Sequence, residues 1–483
     1  MVIELILIPA ITAFIVFNVR NDRLIHYLST SSIILTLTYL LTILLFRDLP
    51  IVENYVEVSV HEHVEYSFSL HIDNVNVVLL ITTLTLLPPI YLYSSTYMRH
   101  RVEEVGTPLN LYYGLLLLNT ASILGVLLSY NMITFIVFYE LLVLTSWALV
   151  YFYGYGNRIN ISLTYLVWSL VGSLLIIVGL VGVYVHLDTL SFNLSLTQDI
   201  PSWILYTLLI GFAIKMGLAG VHLWPPLTHA EAPTPFSAVL SPLIIGLGGY
   251  GVLRILKPLI PTNEFLMIIL IWGIASIVYG GIGALVEDDI KRILAYSSIS
   301  HMGYLTLALS IHDYVLSNAT FSYHYLAHAY SKALLFLASG VLIYVLNIRN
   351  IKLVSGVLRT CKLCGIAFIV GFLSLAGLPP FAGFISKLLI ISSILRSATY
   401  LGTEFYILSI VASITMVFSL AYGVRVIKYV VFGTPKPEVS GFELPLTMSL
   451  SLIIIIVLLV ITWLIPHVIL GLAVATPQNR LVI

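Results

Sequence analysis

AIKMGLAGVHLWPPLTHAEAPTPFS, residues 213–237, decides how the whole chain is read. It emerges from the apolar run ILYTLLIGFA, and Lys215 follows two residues after it. Gly217 and Gly220 follow, then His222, Trp224, Pro225 and Pro226, His229, Glu231, Pro233 and Pro235, and a new apolar run begins. Proline lacks the N–H a helix needs and clashes with the preceding turn. A helix in lipid therefore breaks and restarts here. Its freed backbone groups must be buried in protein or line a watery cavity. A lysine beside such a break marks a functional site.

Working outward, 59% of the 483 residues are hydrophobic and 9% are charged. Soluble domains carry about 25% charged residues. The chain is read as an all-α, polytopic membrane protein. The first apolar run is followed by Arg20 and Arg23 and lacks a small-residue cleavage site, so it reads as a retained helix. The net charge is zero and no basic patch points to nucleic acid. The only cysteines, Cys361 and Cys364, form a C-x-x-C. It reads as two thiols at a helix start, because a zinc site of four ligands needs two more partners. No metal and no cofactor are expected in this chain.

Apolar runs of about 20 residues span a bilayer as helices. Fourteen are read: 2–18, 28–46, 74–95, 109–128, 131–152, 162–186, 203–235 (broken), 236–256, 264–285, 293–311, 321–346, 363–397 (broken), 404–432 and 445–472. The stretch 47–73 is acidic and alternates in VEYSFSLHI, predicting a short hairpin outside the bilayer. It also holds His61 and His63, read as solvated. The twelfth run, GFLSLAGLPPFAGFISKLLI, repeats the Gly/Pro interruption and carries Lys387. Two interrupted spans in corresponding positions suggest two inverted five-helix repeats, with binding sites at the interruptions. The expected organisation is 1–108 as an N-terminal unit of three helices and hairpin, 109–256 and 264–432 as the repeats, and 445–483 as a C-terminal helix and tail.

Lysine and arginine placement sets orientation. Loops after odd-numbered helices carry fourteen basic residues: Arg20, Arg23, Arg99, Arg101, Arg158, Lys291, Arg292, Arg349, Lys352, Arg359, Lys362, Arg425, Lys428 and Lys436. Loops after even-numbered helices carry four: Arg47, Arg254, Lys257 and Arg396; Arg480 lies in the tail. The odd loops are expected to face the cytoplasm, and both termini the outer side of the cell membrane.

The basic residues left over are Lys215, Lys332 and Lys387, each inside a spanning run; Glu140, in FIVFYELLVLTSWALV, is the acid deepest in a helix. A charge at mid-bilayer costs about 2.5–3.5 kcal/mol on insertion scales. Glu140 is the natural anion for Lys215. Moving the two together or apart would switch the lysine between holding and releasing a proton; the competing reading is a static ion pair locking two helices. In YHYLAHAYSKALLFL, His324, His328 and Lys332 are spaced by four and share one helix face. Histidine gives and takes protons near neutral pH, so the three read as a relay rather than polar glue. Lys387 is a second switchable lysine or the terminal group. His222, His229 and Glu231, in the first break, fit packing as well as proton transfer. So does His301, beside Ser297, Ser298 and Ser300 in DDIKRILAYSSISHMGY.

With FYELLVLTSWAL, GGYGVLR and GLPPFAGFISK added, these motifs resemble the antiporter-like membrane subunits of respiratory complex I. Membrane-bound hydrogenases and multisubunit cation/proton antiporters have related subunits. The resemblance spans roughly helices three to thirteen. It implies fourteen helices, two inverted five-helix repeats, and discontinuous helices seven and twelve. It assigns proton translocation to Glu140, Lys215, His324, His328, Lys332 and Lys387. Many members carry a lysine on helix eight where this chain has Gly246, and Ser241 stands near where some have histidine. Water held by Ser237, Ser241 or Tyr250 would have to replace that group.

The resemblance implies a proton-translocating subunit of a complex I-like, NADH–quinone-type redox pump. Electron transfer would occur in partner subunits, and other antiporter-like subunits would lie alongside. The alternative is a subunit of a redox-independent multisubunit Na⁺/H⁺ antiporter.

Overall fold

The computed structural model describes residues 1–59, 65–192, 200–259, 262–434 and 443–474. His61, His63, Lys436 and Arg480 lie outside them. Two helices, α1 (Glu4–Phe17) and α2 (Asp22–Phe46), lead into an antiparallel hairpin of β1 (Ile51–Ser59) and β2 (Glu65–Ile72). The hairpin is the one the alternation predicts; its register runs from Ile51 opposite Ile72, with a bulge between Asn54 and Val56. Then come α3 (Val77–Val105), α4 (Leu109–Leu128), α5 (Met132–Tyr153), α6 (Arg158–Leu187), α7 (Ser202–Met216), α8 (Trp224–Glu231) and α9 (Thr234–Leu259). Apart from single turns, the rest is α10 (Asn263–Val286), α11 (Ile290–Leu309), α12 (Tyr314–Leu346), α13 (Lys362–Ala376), α14 (Ala382–Leu401), α15 (Thr403–Val431), α16 (Leu446–Leu464) and α17 (Pro466–Val474).

Among the described residues, eleven helices are long and apolar enough to cross a membrane, and α1, α7 and α13 are shorter apolar helices. Helix α11 is not among them. It carries Lys291, Arg292, three serines and His301, and it is enclosed by protein along nearly its whole length. Outer helices show the opposite pattern. Helix α6 exposes Val167, Leu174, Val181 and Val185, an apolar stripe that only lipid or a partner can cover.

Both predicted breaks are present, and glycine makes each. Gly217 ends α7 at φ 64° and Gly377 ends α13 at φ 80°, left-handed positions where a Cβ is penalised. The first break frees carbonyls inside the bilayer, and tryptophans take them up. The indole N–H groups of Trp224, Trp168 and Trp272 donate to the carbonyls of Ile214, Val221 and Ala219 at 2.9, 2.8 and 2.8 Å. The Ala219 N–H donates to Ser276 Oγ at 3.1 Å. This backbone is thereby satisfied within the protein, as lipid requires.

The structure redraws some boundaries. The seventh span breaks twice, again at Ala232 and Pro233, so Thr234 and Pro235 open α9 rather than close the seventh span. The last span is interrupted before Pro466, which cannot donate the N–H that would continue α16. Three helices form the interior. Every residue of α12 from Ser317 to Ile343 is buried, α9 is enclosed on all sides, and α11 packs between them.

Candidate functional site: a buried polar line

Lys215 lies in the last turn of α7, buried at the break. A cation there complements the carbonyl end of a half-helix. Its Nζ donates to Ser173 Oγ of α6 at 2.6 Å and sits 4.7 Å from the centre of the Tyr139 ring. It makes no ion pair with Glu140. Glu140 lies on the outward face of α5 among the exposed Val137, Leu141 and Leu144. It is half-buried, and its Oε1 has no hydrogen-bond partner. The static lock between two helices is therefore not what this structure contains.

The relay residues of α12 do share a face, and α11 completes them. Lys332 Nζ donates to the carbonyl of Leu294 at 2.5 Å and to Ser297 Oγ. The ring of His301 forms a triangle with those of His328 and His324, at centroid separations of 5.2 and 5.5 Å and interplanar angles of 27° and 9°. His324 Nδ1 is 2.5 Å from Ser386 Oγ of α14. The next residue, Lys387, donates to the carbonyl of Ala376 at 2.9 Å and to Ser419 Oγ. Its ammonium also lies 4.8 Å from the centre of the Tyr304 ring, itself 5.6 Å from His324. Lys387 follows its break, yet it reaches back to the carbonyl end of α13. Both lysines thus sit at the same kind of feature. Neither nitrogen of His301 or His328, nor Nε2 of His324, has a protein partner. Such groups can exchange protons, because no fixed bond commits them.

His301 is the residue that sequence spacing undervalued. Its place in the stack depends on how α11 meets α12, and only its neighbouring serines hinted at it. The link from Lys215 to this stack is different. Ser241 lies in a π turn of α9 (Leu240–Ile244), where Pro242 removes a helical donor, and its Oγ is 2.7 Å from Ser298 Oγ. Ser237 Oγ donates to the carbonyl of His229 at 3.5 Å. Tyr250 is committed elsewhere, donating to the carbonyl of Leu127 at 3.0 Å. At Gly246 a Cβ would meet the Tyr325 ring.

The remaining expectations divide. His222 is partly exposed and its Nε2 lies 2.6 Å from Tyr279 Oη. His229 is fully buried, and neither ring nitrogen has a partner. Cys361 caps α13, its sulfur accepting from the Cys364 N–H at 3.4 Å, and both thiols are free. At the hairpin end, Arg254 donates to Asp73 Oδ2 at 2.5 Å and contacts His71 Nε2. Burial and the Arg254 guanidinium push the His71 imidazole down to about 3.

The family described as NADH:quinone oxidoreductase/Mrp antiporter, TM matches residues 129–419, a stretch holding all six expected site residues. The NADH-quinone oxidoreductase subunit M of Rickettsia prowazekii is 27% identical over 99% of this chain and 97% of its own length. The F(420)H(2) dehydrogenase subunit M of Methanosarcina mazei is 27% identical over 89% of this chain and 87% of its own. A chain of respiratory complex I from Thermus thermophilus superposes with a TM-score of 0.84 at 21% identity, covering 98% of both chains. One of the Mrp complex from Dietzia superposes at 0.86 and 21% identity, covering 98% of this chain and 96% of that one. These two likenesses are of fold.

Proposed function

Since the chain belongs to the NADH:quinone oxidoreductase/Mrp antiporter transmembrane family, we propose that it is a proton-translocating, antiporter-like membrane subunit of a complex I-like redox pump. The observation that carries this reading is the buried stack His328–His301–His324, flanked by Lys332 and by Ser386 with Lys387. Burying so many titratable groups costs free energy, and ionisable groups held inside a membrane mark proton and ion paths. The full-length relatives are subunits of NADH-quinone and F(420)H(2) oxidoreductases, which supports a redox partner.

In this reading Glu140, on the outward face of α5, senses a neighbouring subunit and biases Lys215. When the two separate, Ser173 and the Tyr139 ring hold the lysine, as here. A proton then moves along Lys332, His328, His301 and His324 to Lys387 and leaves on the outer side. Electron transfer belongs to partner subunits. The same reading comprises fourteen crossings, inverted repeats at 109–256 and 264–432, units 1–108 and 445–483 outside them, a cell-membrane location, and both termini outside.

The test is substitution in the assembled complex. Lys215→Met and Lys387→Met should each abolish this subunit's share of pumping at unchanged complex content. Unchanged pumping in both would leave only scaffolding. The fit to the Mrp fold favours a second reading, exchange of Na⁺ for H⁺ without a redox partner. Co-purifying iron–sulfur and quinone-site subunits support the pump; antiporter subunits alone support the exchanger.

A further inference from the structure

We propose that Glu231 and His229 form a separate proton inlet that delivers directly to Lys332, bypassing Lys215. This rests on reading the chain as a proton-translocating subunit. The first observation is α8, the piece of helix isolated between two breaks. His229 is 0% exposed with both ring nitrogens unpartnered, and Thr228 Oγ1 and Glu231 Oε2 are unpartnered as well. A buried donor or acceptor left unsatisfied costs about 1–3 kcal/mol. A core histidine kept for packing would be bonded. Three such groups on eight residues describe a wettable lining.

The second observation is where α8 leads. The His229 ring lies 5.4 Å from the Phe336 ring, and Phe336 is one helical turn beyond Lys332 on the same face of α12. His229 is within electrostatic reach of Lys332 and Lys291. At the other end, the Glu231 side chain is 18% exposed, with Oε1 3.9 Å from Arg349. The inlet thus runs from the surface rich in basic residues to the relay.

The third observation is how α8 is held. Its last carbonyls are each gripped: Ala230 by Arg349, Glu231 by the Tyr155 N–H at 2.7 Å, and Ala232 by Lys291 Nζ at 2.5 Å. Arg101, Lys291 and Arg349 surround the Tyr155 ring at 3.9, 5.4 and 5.5 Å. These cations fix the short helix and gather positive charge around the carboxylate at the mouth. The route from Lys215, in contrast, meets the Tyr325 ring at Gly246. In the inlet, Glu231 takes a proton from water and passes it through water in the lining to one imidazole nitrogen of His229. The other nitrogen releases a proton, again through water, to the neutral amine of Lys332.

The experiment compares His229→Phe, His229→Gln and Glu231→Gln with Lys215→Met in the assembled complex, reading protons pumped per electron. The His229 variants are expected to lower pumping about ten-fold, with His222→Ala unchanged. His229 variants that pump normally while Lys215→Met fails would overturn the inlet and leave the proton reading intact. Normal pumping in all of them, Lys387→Met included, would overturn both. If the His229 variants do not assemble, Thr228→Cys in a Cys361→Ser/Cys364→Ser background decides. Block by a membrane-impermeant maleimide supports the inlet, and no labelling overturns it.

Discussion

A Cβ built on Gly246 would lie 2.4 Å from Cε2 of Tyr325, so the tyrosine ring occupies the space that a longer side chain on α9 would need. Tyr325 is anchored there, donating to the carbonyl of Leu243 at 3.1 Å. Where the resemblance leads one to expect a lysine, this ring fills the space between α9 and α12.

Gly246→Lys alone should destabilise the protein, because overpacking a core costs about 1–3 kcal/mol. Burying an ammonium adds to that. Gly246→Lys with Tyr325→Ala should recover assembly by clearing the ring. The check is the amount of assembled complex and its melting temperature. Equal stability of Gly246→Lys and wild type would mean that the ring moves freely.

Ser173→Ala should weaken Lys215 without removing it. The bond at 2.6 Å involves a charged donor, and such bonds contribute about 1.5–3 kcal/mol. Losing it tips Lys215 toward Glu140, so pumping should slow several-fold while the subunit still assembles. Pumping rate per complex is the readout. A rate equal to wild type would show that the serine does not hold the lysine in a working state.

His301→Ala should stop the relay as completely as His324→Ala or His328→Ala. Its ring is nearer to each neighbour, at 5.2 and 5.5 Å, than they are to each other, at 6.3 Å. His301→Gln keeps much of the bulk but cannot shuttle a proton, and should fail alike. If His301→Gln pumps normally, water alone bridges the neighbours and the ring is packing.

Much of this was legible in the sequence because its signals are local. Gly217 with Pro225 and Pro226, and Gly377 with Pro379 and Pro380, mark breaks by clustering glycine and proline in an apolar run, and a lysine there stands out by charge alone. The spacing of His324, His328 and Lys332 specifies one face of one helix. What could not be read depends on how helices meet. Ser173 is one of many serines in apolar runs until Lys215 lands on it. His301 becomes central only when α11 docks on α12. The anion the sequence offers Lys215, Glu140, points outward, and no periodicity separates the two faces of a helix that is apolar all round.

The hairpin should loosen as pH falls. His71 sits at the end of β2, buried against Arg254 and 3.1 Å from the Leu128 carbonyl. Burial and the Arg254 charge lower its proton affinity to about 3 in the folded protein, from 6.5. Between those values the unfolded or detached segment binds a proton that the folded one does not, so stability rises with pH. The contribution is full above about 6.5 and is lost progressively toward 3. At pH 5 the attachment should be weaker by about 2 kcal/mol than at pH 7.5, taking 1.36 kcal/mol per pKa unit. Proteolysis of the hairpin at the two pH values measures this. His71→Asn, which cannot titrate, should flatten the difference; a difference that persists would place the titrating group elsewhere.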